Sequence, residues 1–177
     1  MDFLELAKER YSVRKYNGEK VEDDKLARIL EAGRVAPTAA NFQPQRFLVI
    51  YSGEGLAKLA KAANLHGAPC AIVALSRKDK AWVRPQDGHS MADIDAAIAT
   101  THMMLEAWAE GVASCWITWF DPAVVKSEFA LPDLIEPINI LALGYAAGEK
   151  PLSERHEKAR IPLENMVWYE SVPEDYL

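Results

Sequence analysis

Apolar positions along this chain recur at two alternating spacings, one helical and one extended, and together they predict its elements. Asp2 with Glu5 makes a capping-box pattern, and Phe3, Leu6 and Ala7 follow as a short amphipathic helix ending near Arg10. A second helix is predicted from Asp23 to Val35, with Leu26, Ile29, Leu30 and Ala32 or Gly33 on one face. Pro37 ends it, because the residue before a proline is driven out of helical backbone, and the segment from Pro37 to Pro44 becomes a loop. Arg46 to Tyr51 reads as a strand, and the nearly all-apolar run from Ala68 to Leu75 as a second, central one. Leu56, Leu59, Ala60 and Ala63 suit a short helix between them, and the polar stretch from Ser76 to Ser90 reads as a long surface loop.

The strongest helical signal starts at Ser90 and Asp93 and stops at Gly111. Its predicted core face is Ile94, Ala97, Ile98, Thr101, Met104, Leu105 and Trp108, with Met103 and Met104 read as packing residues. Asp93 and Asp95 read as first-turn residues favoured by the helix dipole rather than as a paired-carboxylate site. Val112 to Trp116 follows as a strand, and Asp121-Pro122 caps a helix running to Phe129. Ile138 to Tyr145 is the last strand. On its own, this alternation of strands and helices suggests a parallel α/β sheet.

Half of the 177 residues are apolar, enough to bury a full core in one domain without disulfides or metal. No Gly/Ser linker or internal repeat divides residues 1–177. Leu163, Met166, Val167, Trp168, Tyr169, Tyr176 and Leu177 leave too much apolar surface for a free tail, so residues from about 162 to 177 should pack on the body or on a partner subunit. Cys70 and Cys115 lie in apolar contexts without metal-ligand spacing and read as buried free thiols, and the four histidines are scattered, so no protein-held metal is expected. No apolar run approaches the roughly 20 residues that span a bilayer, and the start of the chain lacks signal-peptide character, so a soluble cytoplasmic protein with no membrane partner is expected. The net charge of -6 argues against a nucleic-acid surface.

Against that acidic background, small basic clusters stand out. Arg10-Tyr11-Ser12-Val13-Arg14 sets a hydroxyl between two guanidinium forks, the donor geometry that grips a phosphate, and Lys158-Ala159-Arg160 could supply a second wall. Either motif alone is weak, because a solvated helix end with surface ion pairs looks the same.

Their order along the chain is more informative. Arg10-Tyr-Ser12-Val-Arg14-Lys-Tyr16, then Ala36-Pro37-Thr38-Ala39-Ala40-Asn41-Phe-Gln43-Pro44, Gly111-Val-Ala-Ser114-Cys-Trp116-Ile, Leu143-Gly144-Tyr145, and Lys158-Ala-Arg160-Ile-Pro162-Leu-Glu164 together resemble the nitroreductase family of FMN-dependent oxidoreductases over nearly the whole chain. The resemblance implies an α+β fold of three layers, a central mixed or antiparallel sheet flanked by helices, in an intertwined homodimer with FMN at the interface. It implies that Arg10 and Ser12 bind the FMN phosphate and ribityl chain, that Arg14 meets the ribityl or the pyrimidine edge, and that Lys158 and Arg160 close the phosphate pocket. Pro37, Thr38, Ala39 and Asn41 would line the ring from the other subunit.

The activity it implies is hydride transfer from NADH or NADPH, through flavin N5, to a nitroaromatic, a quinone or an activated alkene by ping-pong turnover, with Arg14 as the electrostatic candidate. An FMN-binding carrier or sensor without reductase turnover is the alternative, and dehalogenation or flavin processing ranks lower. Two positions depart from the usual pattern: Gln45-Arg46 stands where many members carry Trp, and Ile117-Thr118-Trp119-Phe120 where many carry Glu-Gly beside flavin N5. The loop from Lys78 to His89, with Trp82 and Arg84, either selects the oxidant or is a mobile exposed loop without substrate contact, and Trp119 either shapes the substrate face or belongs to the core.

Overall fold

The structure, a computed structural model, describes residues 2–151 and 154–173. The Tyr176 and Leu177 expected in the apolar tail lie outside these residues. Helix α1 (Phe3–Glu9) begins with the capping box formed in full, Asp2 accepting from Leu4 N and Glu5 N while Glu5 reaches back to Asp2 N. Helix α2 (Asp23–Val35) ends where Pro37 requires. Strand β1 (Gln45–Ile50), helix α3 (Gly53–Leu59), strand β2 (Cys70–Arg77), helix α4 (Ala92–Ala109) and strand β3 (Ala113–Ile117) follow in turn. Helix α5 (Pro122–Glu128) is capped by Asp121, whose carboxylate accepts from Ala123 N at 2.9 Å, and strand β4 (Ile135–Gly144) completes the sheet.

The strand order is β1-β2-β4-β3, and all three pairings are antiparallel. This corrects the parallel sheet that alternation alone suggests and agrees with the α+β expectation. The reason lies in the insertion of β4. Strands β2 and β3 do point the same way and are joined across one face by the 18-residue α4, but β4 enters between them and pairs antiparallel with both. The seven-residue α3 spans only about 10 Å, too short to return the chain along the sheet for a parallel β1–β2 pair. A bulge in the β2–β4 ladder, between Ala74 and Leu75, lets Pro137 sit inside a strand.

Cores form on both faces of the sheet, which makes three layers. Ile29, Ile72, Met103, Ala107, Val112, Leu141 and Leu143 fill one side beneath α2 and α4. Leu59, Val73, Leu75, Cys115, Ile117, Val125, Ile140 and Ala142 fill the other, together with Val13 and Tyr16. Strand β2 is buried on both faces from Cys70 to Ser76, which is why it reads as an unbroken apolar run.

The packing face of α4 differs from the predicted one. Ala92, Asp95, Ala96, Ala99, Thr100, Met103 and Ala107 are buried against the sheet, while Ile94 is exposed and Ala97, Ile98, Thr101, Met104, Leu105 and Trp108 are only half-buried. Large residues draw the eye in a sequence, but the close approach of helix to sheet selects small ones. Where α2 crosses α4, Gly33 admits Met103: a Cβ there would lie 2.8 Å from Met103 Cγ and 2.9 Å from Phe47 Cζ. No helix among the described residues is long and apolar enough to cross a membrane.

Two outcomes follow from this packing. Gly33→Ala should lower stability by roughly 1 to 3 kcal/mol in urea unfolding, even though alanine favours a helix interior by about 1 kcal/mol; an unchanged or raised midpoint would mean that Met103 repacks freely. Burial pushes the Cys70 thiol up to about 11 and raises that of Cys115. A raised thiol pKa favours the folded state fully below the unfolded value of about 8.5, and that contribution is lost as pH climbs toward the folded value. Ellman's reagent at about pH 8 should therefore label neither thiol until the chain is denatured, and rapid native labelling would contradict the burial.

Candidate functional site

The N-terminal arginine segment lies beside the β3 edge of the sheet. Val13 N donates to Ser114 O at 2.9 Å, Asn17 N to Tyr145 O at 2.9 Å, and Ala147 N to Lys15 O at 3.0 Å. Tyr16, buried among apolar residues, donates its hydroxyl to Ala142 O at 3.3 Å, and burial pushes its phenol far above the ordinary range. Val13 and Tyr16 thus hold the segment against the sheet, with Ser12 half-buried and Arg14 exposed.

A second basic element meets this segment. Helix α6 (Arg155–Ala159) docks on the C-terminal end of α1, where Arg155 Nη2 donates to the carbonyls of Lys8, Glu9 and Arg10. His156 Nε2 lies 2.8 Å from Lys8 O. Carbonyls at a helix end carry partial negative charge and favour a cation such as the Arg155 guanidinium. Arg155 also lies over the Tyr11 ring, 6.0 Å from its centroid.

Arg10, Ser12, Arg14, Arg155, His156 and Arg160 thereby converge on a cavity of about 250 Å³. Burial lowers the pKa of the Arg10 guanidinium, and the charges of Arg160 and Arg155 lower it further. These cations therefore repel one another. Arg14 also lines a larger, open cavity of about 1040 Å³, bounded by Lys61, Asn64, His66 and the turn from Cys115 to Pro122 that links β3 to α5.

The remaining candidates are placed elsewhere. Lys158 pairs with Glu154 at 2.6 Å and does not line the small cavity. Pro37, Thr38, Ala39 and Asn41 line neither cavity. They form a tight loop in which Ala40, Asn41 and Gln43 all take positive φ and Gln43 N donates to Thr38 Oγ1 at 3.1 Å. The loop from Lys78 to His89 closes on itself through the Val83–Ser90 bridge and an Arg84–Asp87 ion pair, and lines neither cavity. Trp119 is 94 % exposed at the rim of the large cavity, which removes it from the core.

Asn64, His66 and Arg155 were not found by sequence reasoning. Arg155 sits three residues from Lys158 in the same basic run, and that proximity was the available signal. Asn64 and His66 belong to a short polar turn before β2 whose position beside Arg14 is wholly non-local.

This geometry has known counterparts. The sequence profile of the nitroreductase family matches residues 7–64 and 57–145, and the chain belongs to that family. A solved nitroreductase family protein from Clostridium difficile 630 is 51 % identical, with 97 % of this chain and 100 % of that one covered at a TM-score of 0.95. An FMN-dependent nitroreductase from Clostridium difficile R20291 is 26 % identical, covering 96 % of this chain and 100 % of that one at a TM-score of 0.82. A protein of Thermus thermophilus named NADH dehydrogenase is 27 % identical over 201 residues, which takes in 94 % of this chain and 95 % of that protein.

The mutual repulsion of Arg10, Arg155 and Arg160 makes a specific anion effect the expected behaviour of the small cavity. Inorganic phosphate at about ten times its dissociation constant should raise the melting temperature of the ligand-free protein by roughly 3 to 5 °C. Potassium chloride at equal ionic strength should not, and Arg160→Ala should abolish the increment. Equal shifts with both salts would show general screening instead of a site.

Proposed function

We propose that the chain is an FMN-dependent oxidoreductase, working as a homodimer, that uses NADH or NADPH to reduce a flat electrophile such as a nitroaromatic, a quinone or an activated alkene. The observation that carries this reading is the pair of cavities that share Arg14 in their walls, one small and cationic, the other with volume enough for a fused ring. The donor set fits the cofactor. A phosphate dianion would offset the burial, and the added repulsion, that lower the Arg10 pKa, and guanidinium forks with a neighbouring hydroxyl suit its oxygens.

Bound FMN would supply ping-pong hydride chemistry, accepting a hydride at N5 from the nicotinamide and yielding it to the oxidant. Arg10, Ser12, Arg155 and Arg160 would hold the phosphate end. The exposed ion pair of Lys158 with Glu154 is weak enough to open, so Lys158 could join them. Arg14, shared by both cavities, would stabilise negative charge at the pyrimidine edge of the ring. Among the described residues the Trp119 backbone N–H donates to no protein acceptor, which makes it the candidate donor near N5 in place of the usual Glu-Gly turn. The Trp119 indole at the rim would offer a flat oxidant a stacking surface.

The homodimer is supported by what one copy leaves uncovered. Phe3, Leu4, Val35, Phe42, Ile94, Leu163, Met166 and Tyr169 are all exposed, large apolar side chains of the kind that interaction surfaces cover. Residues from about 162 onward would pack on the partner. The Pro37 to Asn41 loop, which lines neither cavity of its own chain, would face the flavin of the other subunit. Pro44 O accepts from Arg77 N at 3.0 Å, so the Lys78 to His89 loop begins beside that segment and would border the same partner site.

Anaerobic titration of the FMN-reconstituted protein with NADPH and then NADH, following visible flavin absorbance, tests the reading. Bleaching that a nitroaromatic or quinone reverses is expected. Flavin that neither donor bleaches would make the protein a carrier or sensor. Arg14→Ala should keep some FMN and slow reduction by about a hundredfold, the usual scale for removing one charge-stabilising donor, and unchanged kinetics would remove Arg14 from this role.

A further inference from the structure

Helix α4 buries a carboxylate that the proposed chemistry does not use. Asp95 is 1 % exposed, whereas its first-turn companion Asp93 stands at the surface. Asp95 Oδ1 accepts from Ala39 N at 2.8 Å, a contact between residues 56 apart in sequence. Its Oδ2 has no hydrogen-bond partner among the described residues. Taking a carboxylate out of water is unfavourable unless something compensates, and here the compensation is the positive end of the helix dipole and one hydrogen bond, from a loop amide. The neighbouring buried positions Ala92, Ala96 and Ala99 show what packing alone selects on this face.

The loop at the other end of that bond needs an anchor. Ala40, Asn41 and Gln43 sit at φ of 49°, 56° and 52°. Residues with a Cβ disfavour this left-handed region, and three of them within four positions persist only where the surroundings hold them. Asn41 N to Thr38 O and Gln43 N to Thr38 Oγ1 are internal to the loop and fix its shape but not its place. From Pro37 to Asn41, the Asp95 contact is the only hydrogen bond among the described residues that ties the loop to another element.

We propose that Asp95 is a positioning residue whose buried carboxylate sets the place of the Pro37 to Asn41 loop where that loop meets the flavin of the partner subunit. The proposal rests on the FMN dimer argued above. It assigns α4 a task beyond packing: the helix that lies against the sheet also carries the fastener of the loop.

The test compares the full chain with Asp95→Ala and Asp95→Asn, using amide hydrogen exchange without FMN and FMN affinity by fluorescence titration. In the parent, the Ala39 amide should exchange at least about tenfold more slowly than that of Ala40, which lacks such a bond; equal rates overturn the proposal even if Asp95→Ala fails to fold. Asp95→Ala should remove this protection and raise the FMN dissociation constant by about tenfold, the scale of one hydrogen bond to a charged group. Asp95→Asn keeps an acceptor oxygen and should stay within about twofold of the parent in both. An alanine variant that loosens the loop but leaves FMN affinity and the flavin midpoint potential unchanged overturns the proposal while sparing the FMN reading. An asparagine variant as impaired as the alanine one also overturns it. A parent that binds no FMN removes both.

Discussion

β4 pairs along both edges at once, with β2 through the whole strand and with β3 through its second half, and the placement of nearly every other element depends on that double pairing. Because β4 enters last, β2 and β3 are separated by one strand's width, and α4 must cross over that gap. Because β3 is left at the edge, the Arg10 to Tyr16 segment can lie beside it, with Val13 and Tyr16 turned into the core. The cationic cavity thus sits on an edge built by strand order, although no residue of β4 lines it.

Local chemistry was legible and non-local geometry was not. Pro37 ends α2, Asp2 caps α1 and Asp121-Pro122 opens α5 because each acts within a few residues of itself. The central position of β2 was equally readable, since a strand buried on both faces has no polar alternate positions to offer. Strand direction was misread because alternation of elements says nothing about a strand that arrives later and inserts. The α+β architecture was available only through the resemblance carried by the ordered motifs. Of the residues lining the small cavity, Arg10, Ser12, Arg14 and Arg160 stand out in the sequence because their motifs are local. Arg155 was missed because its partners are carbonyls about 145 residues away, and Asn64 because nothing in a polar turn reports that Arg14 lies beside it.

The misassigned face of α4 carries a physical lesson. An amphipathic helix has one apolar stripe, yet α4 carries apolar residues on more than one side, those buried being mostly small, Met103 apart, and the larger ones lying on its less buried sides. A helix apolar on every side is a helix with two layers to meet. Ala96, Ala99 and Ala107 admit the close approach to the sheet, while Ile94 is exposed, Ile98 and Leu105 are half-buried, and Trp108 meets the Tyr11 ring edge-on at 5.3 Å.

Charge is distributed by the same economy. The chain is acidic overall, yet Arg10 is buried enough to lower its pKa, and Arg160 and Arg155 lie close enough to lower it further. Folding alone gives no reason to hold like charges together; each would be better solvated apart. The cost is met partly by helix ends, since Arg155 takes the terminal carbonyls of α1, and partly by burial of Val13 and Tyr16, which fixes the arginine segment whether or not an anion is present. A cavity that is repulsive without its ligand and preformed by unrelated packing loses little order on binding and gains the relief of that repulsion, which favours a compact dianion over a diffuse or neutral ligand.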